Sequence, residues 1–279
     1  MECIQNADDN KYSADCTPIL KISISEKEVQ IECNEAGFTK DDIEALCRVG
    51  RSTKTKEAQD DEHGKRKSTH IGEKGIGFKS VFNLATSVNI ASYPFYFELN
   101  KDRELGMVAP SWNLDFFKNR PRNSSPLQTT IVLTSPTDAN VNFVKTLRRD
   151  VESLRPTLLL FLNKLKKLHI SAESSNFSLS ANFSVSFPDS GDRDLIQLDE
   201  TGSQTRHWNY FRFDHTIFQL PREKKRPNAT NTKISLAFPV SMYEKFWEPV
   251  EGTQSVFAYL PVGDYGFRVC FRELTDEGS

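Results

Sequence analysis

The spacing of apolar residues changes along the chain, and each spacing predicts a different element. In residues 1–12, Ile4 and Ala7 lie on one side of a helical pattern, and polar side chains occupy another. Over residues 19–33 every second side chain is apolar, except in the polar stretch 25–28. This alternation, interrupted once by polar residues, predicts a β-hairpin directly after the first helix.

Helical and extended patterns continue through the first half of the chain. Thr39 and Asp42 have the spacing of a capping box, which predicts a short helix that ends near Gly50. Residues 51–70 are rich in charged and poor in apolar side chains, so we expect a mobile loop there. A further helix is expected over residues 78–84. Strands are then expected at residues 88–91, 95–99 and 129–133.

The polar stretch 134–140 predicts a boundary between two domains, residues 1–140 and 141–279. We expect residues 143–168 to be mostly helical, with an interruption at Pro156. One face of that helix would carry the apolar residues, and three lysines would point to solvent. The apolar face comprises Leu158, Phe161, Leu162 and Leu165, and the lysines are Lys164, Lys166 and Lys167. Beyond residue 168 the pattern is mainly β.

Charge, cysteine spacing and the length of apolar runs argue against several classes of protein. With 36 basic and 38 acidic residues the net charge is −2, so the chain as a whole offers no footprint for nucleic acid or an anionic membrane. The five cysteines lack the paired spacing of a zinc or redox site. The longest apolar run, residues 158–162, is too short to span a bilayer. We therefore expect an intracellular protein, in the cytoplasm or nucleus, without a membrane partner.

A glycine-rich segment carries the strongest local signal for chemistry. Residues 72–79 have the sequence GEKGIGFK, in which three glycines precede the predicted helix at residue 78. Backbone N–H groups at such a helix start attract phosphate. The segment lacks the Lys-Ser/Thr ending of a P-loop and does not belong to a dinucleotide-binding unit. Taken alone, it is either a phosphate-binding loop or an ordinary turn.

The first helix carries a second candidate site. Glu2, Asn6 and Asp9 follow one another at i, i+4 and i+7, which places them on one helical face. A neutral amide oxygen can bind Mg²⁺, while a neighbouring carboxylate orients a water molecule. The same pattern is also that of an ordinary solvated face, and the helix alone does not decide between the two.

Together these segments resemble the ordered motifs of the Bergerat superfamily of ATP-binding domains. More narrowly, IQNADDN, CNEAGFTKDDIEALCRVGRSTK and IGEKGIGFKSVF resemble the ATPase-like domains of sacsin and of plant and fungal NO VEIN-type proteins. The resemblance covers about residues 1–135 and continues more loosely through PTLLLFLNKLKKLHI and FAYLPVGDYGF. It implies an α+β fold. A two-layer α/β sandwich would bind ATP, and a helix-plus-β region resembling a transducer would follow.

The resemblance also implies roles for residues of the first helix and of the turn after the hairpin. Glu2 would be the general base for water, Asn6 the Mg²⁺ ligand and Asp9 a polar wall of the pocket. Asn34 falls where most of the superfamily has an aspartate that accepts a hydrogen bond from the adenine amino group. Gly37 would let the backbone pass close to the base.

Two further parts of the ATP site are implied. Thr129 matches the threonine that closes the far side of the adenine site. The phosphate loop and the side chains next to it would be Gly72, Lys74, Gly75, Ile76, Gly77, Phe78 and Lys79. Because an amide is a weaker acceptor than a carboxylate, we expect Asn34 to weaken adenine binding and Asn34→Asp to tighten it.

The function implied by the resemblance is that of a Mg-ATP-dependent, chaperone-like ATPase that acts on a protein client. The alternative is a protein-interaction module that ATP switches without hydrolysis. A DNA-remodelling ATPase is a third reading, which the balanced charge does not favour. The superfamily has sequence before the asparagine helix, whereas this sequence begins inside it. We therefore expect hydrolysis to be slow relative to binding.

Overall fold

The computed structural model describes residues 2–47, 78–118, 128–134, 149, 151–175, 177–188, 194–202, 204–218, 231–258 and 260–276. The predicted loop 51–70 and the glycines at 72–77 lie outside these residues. The chain divides into two compact units. The first comprises Met1–Glu57, His70–Leu154 and Lys164–Asn182, and the second Ala58–Thr69, Arg155–Asn163 and Phe183–Ser279.

The first unit has short helices. They are α1 (Glu2–Asp9), α2 (Lys40–Cys47), a 3-10 helix (Phe78–Asn83) and α3 (Leu114–Lys118). α1 buries Ile4 and Ala7, as its apolar spacing predicts. The capping box before α2 forms as expected, since the Thr39 backbone N–H donates to Asp42 Oδ2 at 2.8 Å and the Asp42 N–H donates to Thr39 Oγ1 at 3.3 Å.

The strands of the first unit include the predicted hairpin. They are β1 (Ile19–Ile24), β2 (Glu28–Cys33), β3 (Ser87–Ser92), β4 (Phe95–Asn100), β5 (Ser111–Trp112), β6 (Thr129–Thr134), β7 (Lys167–Ser174) and β8 (Phe177–Ser186), whose last residues belong to the second unit. Their order is β8-β7-β1-β2-β6-β3-β4-β5. β1 pairs with β7 in parallel, whereas the β1–β2, β2–β6, β6–β3, β3–β4 and β4–β5 pairs are antiparallel.

Two-residue periodicity gives the first-unit sheet one apolar and one more polar face. One row of paired residues runs across five strands and is buried throughout: Ile24, Val29, Leu133, Val88 and Leu99. The neighbouring row, which faces the other way, contains Ser23, Gln30, Val132, Asn89 and Glu98. Val132 and Asn89 in this second row are also buried, so the middle of the sheet is covered on both faces.

The second unit is also mainly antiparallel. Its strands are β9 (Leu195–Thr201), β10 (Thr205–Phe218), β11 (Asn231–Tyr243), β12 (Phe246–Pro249), β13 (Ser255–Ala258), β14 (Leu260–Asp264) and β15 (Cys270–Asp276). They follow the order β14-β13-β15-β11-β10-β9, with β12 paired to β11. β13 and β15 pair in parallel.

The predicted fold class, a two-layer α/β sandwich followed by a helix-plus-β region, is wrong. The described residues form fifteen strands with parallel and antiparallel pairs, whereas α1 and α2 contain only eight residues each. The fold is therefore β-rich. The helical spacing in the sequence is real at α1 and α2, but strands account for most of the packing.

The segment 143–168 shows why the helical content was overestimated. Among its described residues, 149 and 151–153 are helical as predicted, a 3-10 helix covers Pro156–Leu159, and β7 begins at Lys167. Residues 158–162 are all buried, so they are not the inward face of an amphipathic helix. A short run buried on all sides has no periodicity that separates helix from other structure.

Two arginines hold this buried turn within the second unit. Arg212 Nη1 donates to the Leu160 carbonyl at 3.0 Å, and Arg272 Nη1 donates to the carbonyl of Phe161. The Phe161 ring packs edge-on against Phe257, with ring centroids 4.8 Å apart. Backbone carbonyls that a regular helix would pair internally are thus bonded to side chains from β10 and β15.

No helix among the described residues combines the length and apolar content that a bilayer-spanning segment needs.

Candidate functional site

The C-terminal end of α1 is fixed by residues more than 150 positions away. Asp8 is buried, and its Oδ1 accepts the backbone N–H groups of Lys164 at 2.7 Å and Leu165 at 2.8 Å. In return, Lys164 Nζ donates to the carbonyls of Asp9 at 3.0 Å and Asn10 at 2.9 Å. We call this reciprocal contact the Asp8–Lys164 clasp. It was not predicted, because the sequence placed Lys164 in solvent.

The predicted polar face of α1 is present. Glu2 lies in the first turn, Glu2 and Asn6 are partly buried, and Asp9 is buried. The helix therefore keeps a carboxylate, an amide and a second carboxylate at the predicted spacing. The clasp restrains the end of the helix that carries Asp9.

Tyr12 connects α1 to the end of β2. Its hydroxyl donates to the Ala7 carbonyl at 2.7 Å and lies 3.1 Å from Cys33 Sγ. Burial raises the pKa of Tyr12, and burial also raises the pKa of the Cys33 thiol to about 11. Both groups are therefore neutral at pH 7, and since the single Tyr12 proton is donated to Ala7, the thiol donates to the Tyr12 oxygen.

Asn34 is already engaged in structural hydrogen bonds. Its Oδ1 accepts the Ile19 N–H at 2.8 Å, and its Nδ2 donates to the Thr17 carbonyl at 2.8 Å and to Cys16 Sγ at 3.0 Å. The amide therefore ties the segment before β1 to the end of β2. One lone pair of Oδ1 is left for another donor.

The loop after β2 lies against the ends of β3 and β6. The Phe38 N–H donates to Ser92 Oγ at 2.7 Å, and Ser92 Oγ lies 2.7 Å from Thr129 Oγ1. Both hydroxyl side chains are buried. Gly37 has φ of 89°, and a Cβ added there would lie 3.3 Å from Ser92 Oγ. Gly37 therefore provides both a left-handed backbone and a close approach.

The strand register brings this contact beside Cys33. Thr129, the first residue of β6, pairs with Cys33, the last residue of β2, and with Ser92, the last residue of β3. The loop is also bonded to the segment after α1, because the Ala36 N–H donates to the Lys11 carbonyl at 2.8 Å. We call the polar face of α1, the loop 34–38 and Thr129 together the β2-end site.

The remaining predicted residues are only partly described. Phe78 is partly buried at the start of the 3-10 helix. Lys79 Nζ donates to the Met107 carbonyl, and burial lowers the pKa of the Lys79 amine. Gly72, Lys74, Gly75, Ile76 and Gly77 lie outside the described residues.

Sequence reasoning missed four residues that shape this site: Asp8, Tyr12, Ser92 and Lys164. A buried Asp8 beside Asp9 and a serine at the end of an apolar strand are weak signals in a single sequence. Their partners lie 5 to 157 positions away, so only the fold brings them together. Among the residues that the structure describes, there is no group of three or more His, Cys, Asp or Glu side chains suited to hold a metal ion.

Comparison with known proteins finds similarity in sequence and in structure. No protein-family model matches the chain. Protein NO VEIN from Arabidopsis thaliana is 27% identical over 290 residues, which include 96% of this chain and 10% of that protein. Among solved structures, the N-terminal domain of a DNA repair protein matches with a TM-score of 0.47 and 12% identity, covering 98% of this chain and 81% of that one. Along nearly its whole length, the chain is therefore similar to about a tenth of Protein NO VEIN.

Proposed function

We propose that the first unit binds Mg-ATP at the β2-end site. The observation that carries this proposal is a set of hydrogen bonds that links the segment after α1, the loop 34–38 and Thr129, which carry or adjoin predicted ligand-binding residues. It runs from Lys11, just after α1, to Ala36, and from Phe38 through Ser92 to Thr129. Lys11 and Thr129, which lie 118 positions apart in sequence, are thus linked through this loop at the end of β2.

The base would lie at the loop 34–38. Gly37 has no side chain to block a flat ring, and its backbone conformation turns the loop toward β3. The Thr129 hydroxyl and the remaining lone pair of Asn34 Oδ1 would supply hydrogen bonds to the edge of the base.

The phosphates and the metal would lie toward α1. Mg²⁺ usually keeps several waters and is bound by a few protein oxygens together with substrate phosphates, and the Asn6 amide oxygen would be its ligand from α1 in this proposal. When bound, the ion would neutralise phosphate charge. Glu2 would orient water toward the γ-phosphate, and the Gly72–Gly77 amides would contact the phosphates in this proposal.

We further propose that the chain hydrolyses ATP while it acts on a protein client, as a chaperone does. Its support is the sequence resemblance of the α1, loop and glycine motifs to sacsin and NO VEIN-type domains. Nucleotide-dependent suppression of aggregation of a denatured protein, together with phosphate release, would support this extension. Nucleotide-dependent protein binding without phosphate release would support a switched interaction module.

Gly37→Ala tests the nucleotide site. We expect titration calorimetry to show Mg-ATP binding by the wild-type protein and at least about tenfold weaker binding by Gly37→Ala, equivalent to about 1.4 kcal/mol. The added methyl group would press on Ser92 Oγ from 3.3 Å and shift the loop. Backbone strain at this positive φ would also lower stability by about 1–2 kcal/mol.

Gly266→Ala is the matched control for this strain. Gly266 has φ of 83°, and a Cβ there would meet no atom within 4 Å. Gly266→Ala should show the loss of stability that comes from backbone strain alone and keep wild-type affinity. Absence of any binding heat from folded wild-type protein, or equal affinity in Gly37→Ala and wild type, would show that the β2-end site does not bind ATP.

A further inference from the structure

We infer that Tyr12 is a positioning residue for the proposed Mg-ATP site, which holds the metal ligand on α1 in place relative to the loop that would bind the base. This inference rests on the proposed function and gives a role to a side chain that no motif of the sequence indicated. Tyr12 itself would not contact the nucleotide. It would act through the two residues to which its hydroxyl is bonded, Ala7 and Cys33.

These two partners adjoin the two halves of the proposed site. Ala7 directly follows Asn6, the proposed ligand of Mg²⁺. Cys33 directly precedes Asn34, the proposed hydrogen-bond acceptor for the base. The Tyr12 hydroxyl oxygen lies 2.7 Å from the Ala7 carbonyl oxygen and 3.1 Å from Cys33 Sγ. One side chain therefore bridges the neighbours of the metal ligand and of the base acceptor.

The chemistry of the partners fixes the direction of each hydrogen bond. A backbone carbonyl can only accept, so the Tyr12 proton is donated to Ala7. The phenol oxygen keeps lone pairs for the Cys33 thiol, which is neutral at pH 7 because burial raises its pKa to about 11. Cys33 thus donates to Tyr12, and Tyr12 donates to Ala7.

The bond to Ala7 meets a requirement of the helix end. The last carbonyl groups of an α-helix have no intrahelical partner, and α1 ends at Asp9. The Asn10 N–H reaches the Ala7 carbonyl at 3.3 Å, which is long beside the 2.7 Å of the bond from Tyr12. Tyr12 therefore caps the last turn of α1, directly after Asn6.

The bond to Cys33 anchors this cap to the sheet. Cys33 is buried at the end of β2, where it pairs with Leu20 of β1 and with Thr129 of β6. A residue held between two neighbouring strands is a fixed reference point for the helix. The Asn10 side chain also hydrogen-bonds the Cys33 thiol, so a second group from the end of α1 meets the same sulfur.

The expected consequence is that the tightness of metal binding depends on Tyr12. Groups behind a metal ligand orient it, and their loss weakens metal affinity although the ligand itself is unchanged. Without the Tyr12 hydroxyl, the last turn of α1 loses this bond to the end of β2, so Asn6 would have to be ordered when Mg-ATP binds. ATP without the metal does not use the Asn6 oxygen and should bind nearly as before.

The test measures the factor by which Mg²⁺ raises the affinity for ATP, by titration calorimetry in Mg²⁺ and in EDTA. Tyr12→Phe should lower this factor at least about fivefold, the effect of one hydrogen bond, and change the affinity in EDTA by less than about twofold. Tyr210→Phe is the matched control, because it removes the hydroxyl of a buried tyrosine in the second unit, and should keep the wild-type factor. A merely structural role for Tyr12 would weaken ATP binding equally with and without the metal.

Variants of Cys33 test the other end of the bridge. Cys33→Ser keeps a donor for the Tyr12 oxygen and should retain most of the Mg²⁺ factor, whereas Cys33→Ala should lower it. In the double variant, Cys33→Ala should add little to Tyr12→Phe, because the bond between the two side chains is already lost. These variants also carry the test if Tyr12→Phe does not fold, since equal factors for folded Cys33→Ser and Cys33→Ala would then overturn the inference.

Failure of this inference and failure of the proposed function give different results. An unchanged Mg²⁺ factor in folded Tyr12→Phe overturns the positioning role alone. ATP binding that Mg²⁺ does not strengthen in the wild-type protein overturns the role of Asn6 and this inference, but leaves the base site. Absence of ATP binding by folded wild-type protein overturns the proposed function itself.

Discussion

Replacing Asp8 with alanine is expected to lower the free energy of unfolding by about 3 kcal/mol, because two backbone donors lose their acceptor. Asp8 Oδ1 accepts the N–H groups of Lys164 and Leu165, at 2.7 and 2.8 Å. Leu165 is fully buried, so water cannot replace the carboxylate at that amide. Urea unfolding followed by circular dichroism measures the loss.

Two variants show whether the acceptor itself causes the effect. Asp8→Asn keeps an oxygen that can accept both N–H groups and should lose only about 1 kcal/mol, since charged acceptors form stronger bonds than neutral ones. Asp115→Ala removes an exposed carboxylate that pairs with Lys118 at 2.6 Å, and should change stability by less than about 0.5 kcal/mol.

The stability of the Asp8 variants also tests whether the Asp8–Lys164 clasp supports the proposed Mg-ATP site. Asp8 lies two positions after Asn6 and next to Asp9, so the clasp restrains the helix that would bind Mg²⁺. Equal stability of Asp8→Ala and Asp115→Ala would show that the Asp8–Lys164 clasp does not hold α1. Restoration of stability by asparagine, but not by alanine, would identify the oxygen as the stabilising group.

Asn34→Asp is expected to destabilise the protein by about 2 kcal/mol and not to tighten adenine binding, contrary to the expectation from the sequence. The amide nitrogen donates to the Thr17 carbonyl at 2.8 Å and to Cys16 Sγ at 3.0 Å. Aspartate would replace that donor with an acceptor and place two oxygens against each other. Loss of two hydrogen bonds at roughly 1 kcal/mol each sets the magnitude.

The pH dependence distinguishes this cause from simple loss of side-chain packing. Below the titration range of the new carboxyl group, a protonated oxygen can again donate to Thr17. The stability difference between Asn34→Asp and wild type should therefore shrink as the pH falls from 7 to 4. Asn34→Ala, which has no titratable group, should show a constant difference. Tighter Mg-ATP binding by Asn34→Asp at pH 7, with unchanged stability, would contradict this account.

Short-range patterns predicted much of the first unit. The hairpin of β1 and β2 follows from alternating apolar residues around a polar turn, and α2 follows from the capping box at Thr39 and Asp42. α1, β3, β4 and β6 also form where the periodicity predicts them. These elements depend on residues within a few positions of each other, so their information is local to the sequence.

The tertiary structure decided how those elements combine. The parallel pairing of β1 with β7 joins residues nearly 150 positions apart, although a strand was expected from residue 168 onward. The buried run 158–162 had the composition of a helix face, but contacts from Arg212 and Arg272 hold it as a turn. Neither partner can be identified from local spacing.

The candidate site shows the same division. Its residue types and their order were evident in the sequence, including Asn6, Gly37 and Thr129. The sequence did not indicate that the Asn34 amide makes hydrogen bonds within the fold. Nor did it indicate that Asp8 and Ser92 lie beside the site. A hydrogen bond depends on distances of about 3 Å between atoms that the chain brings together only after its strands have paired. The sequence by itself therefore determined which elements and polar groups are available, while the tertiary structure determined which of those groups face one another.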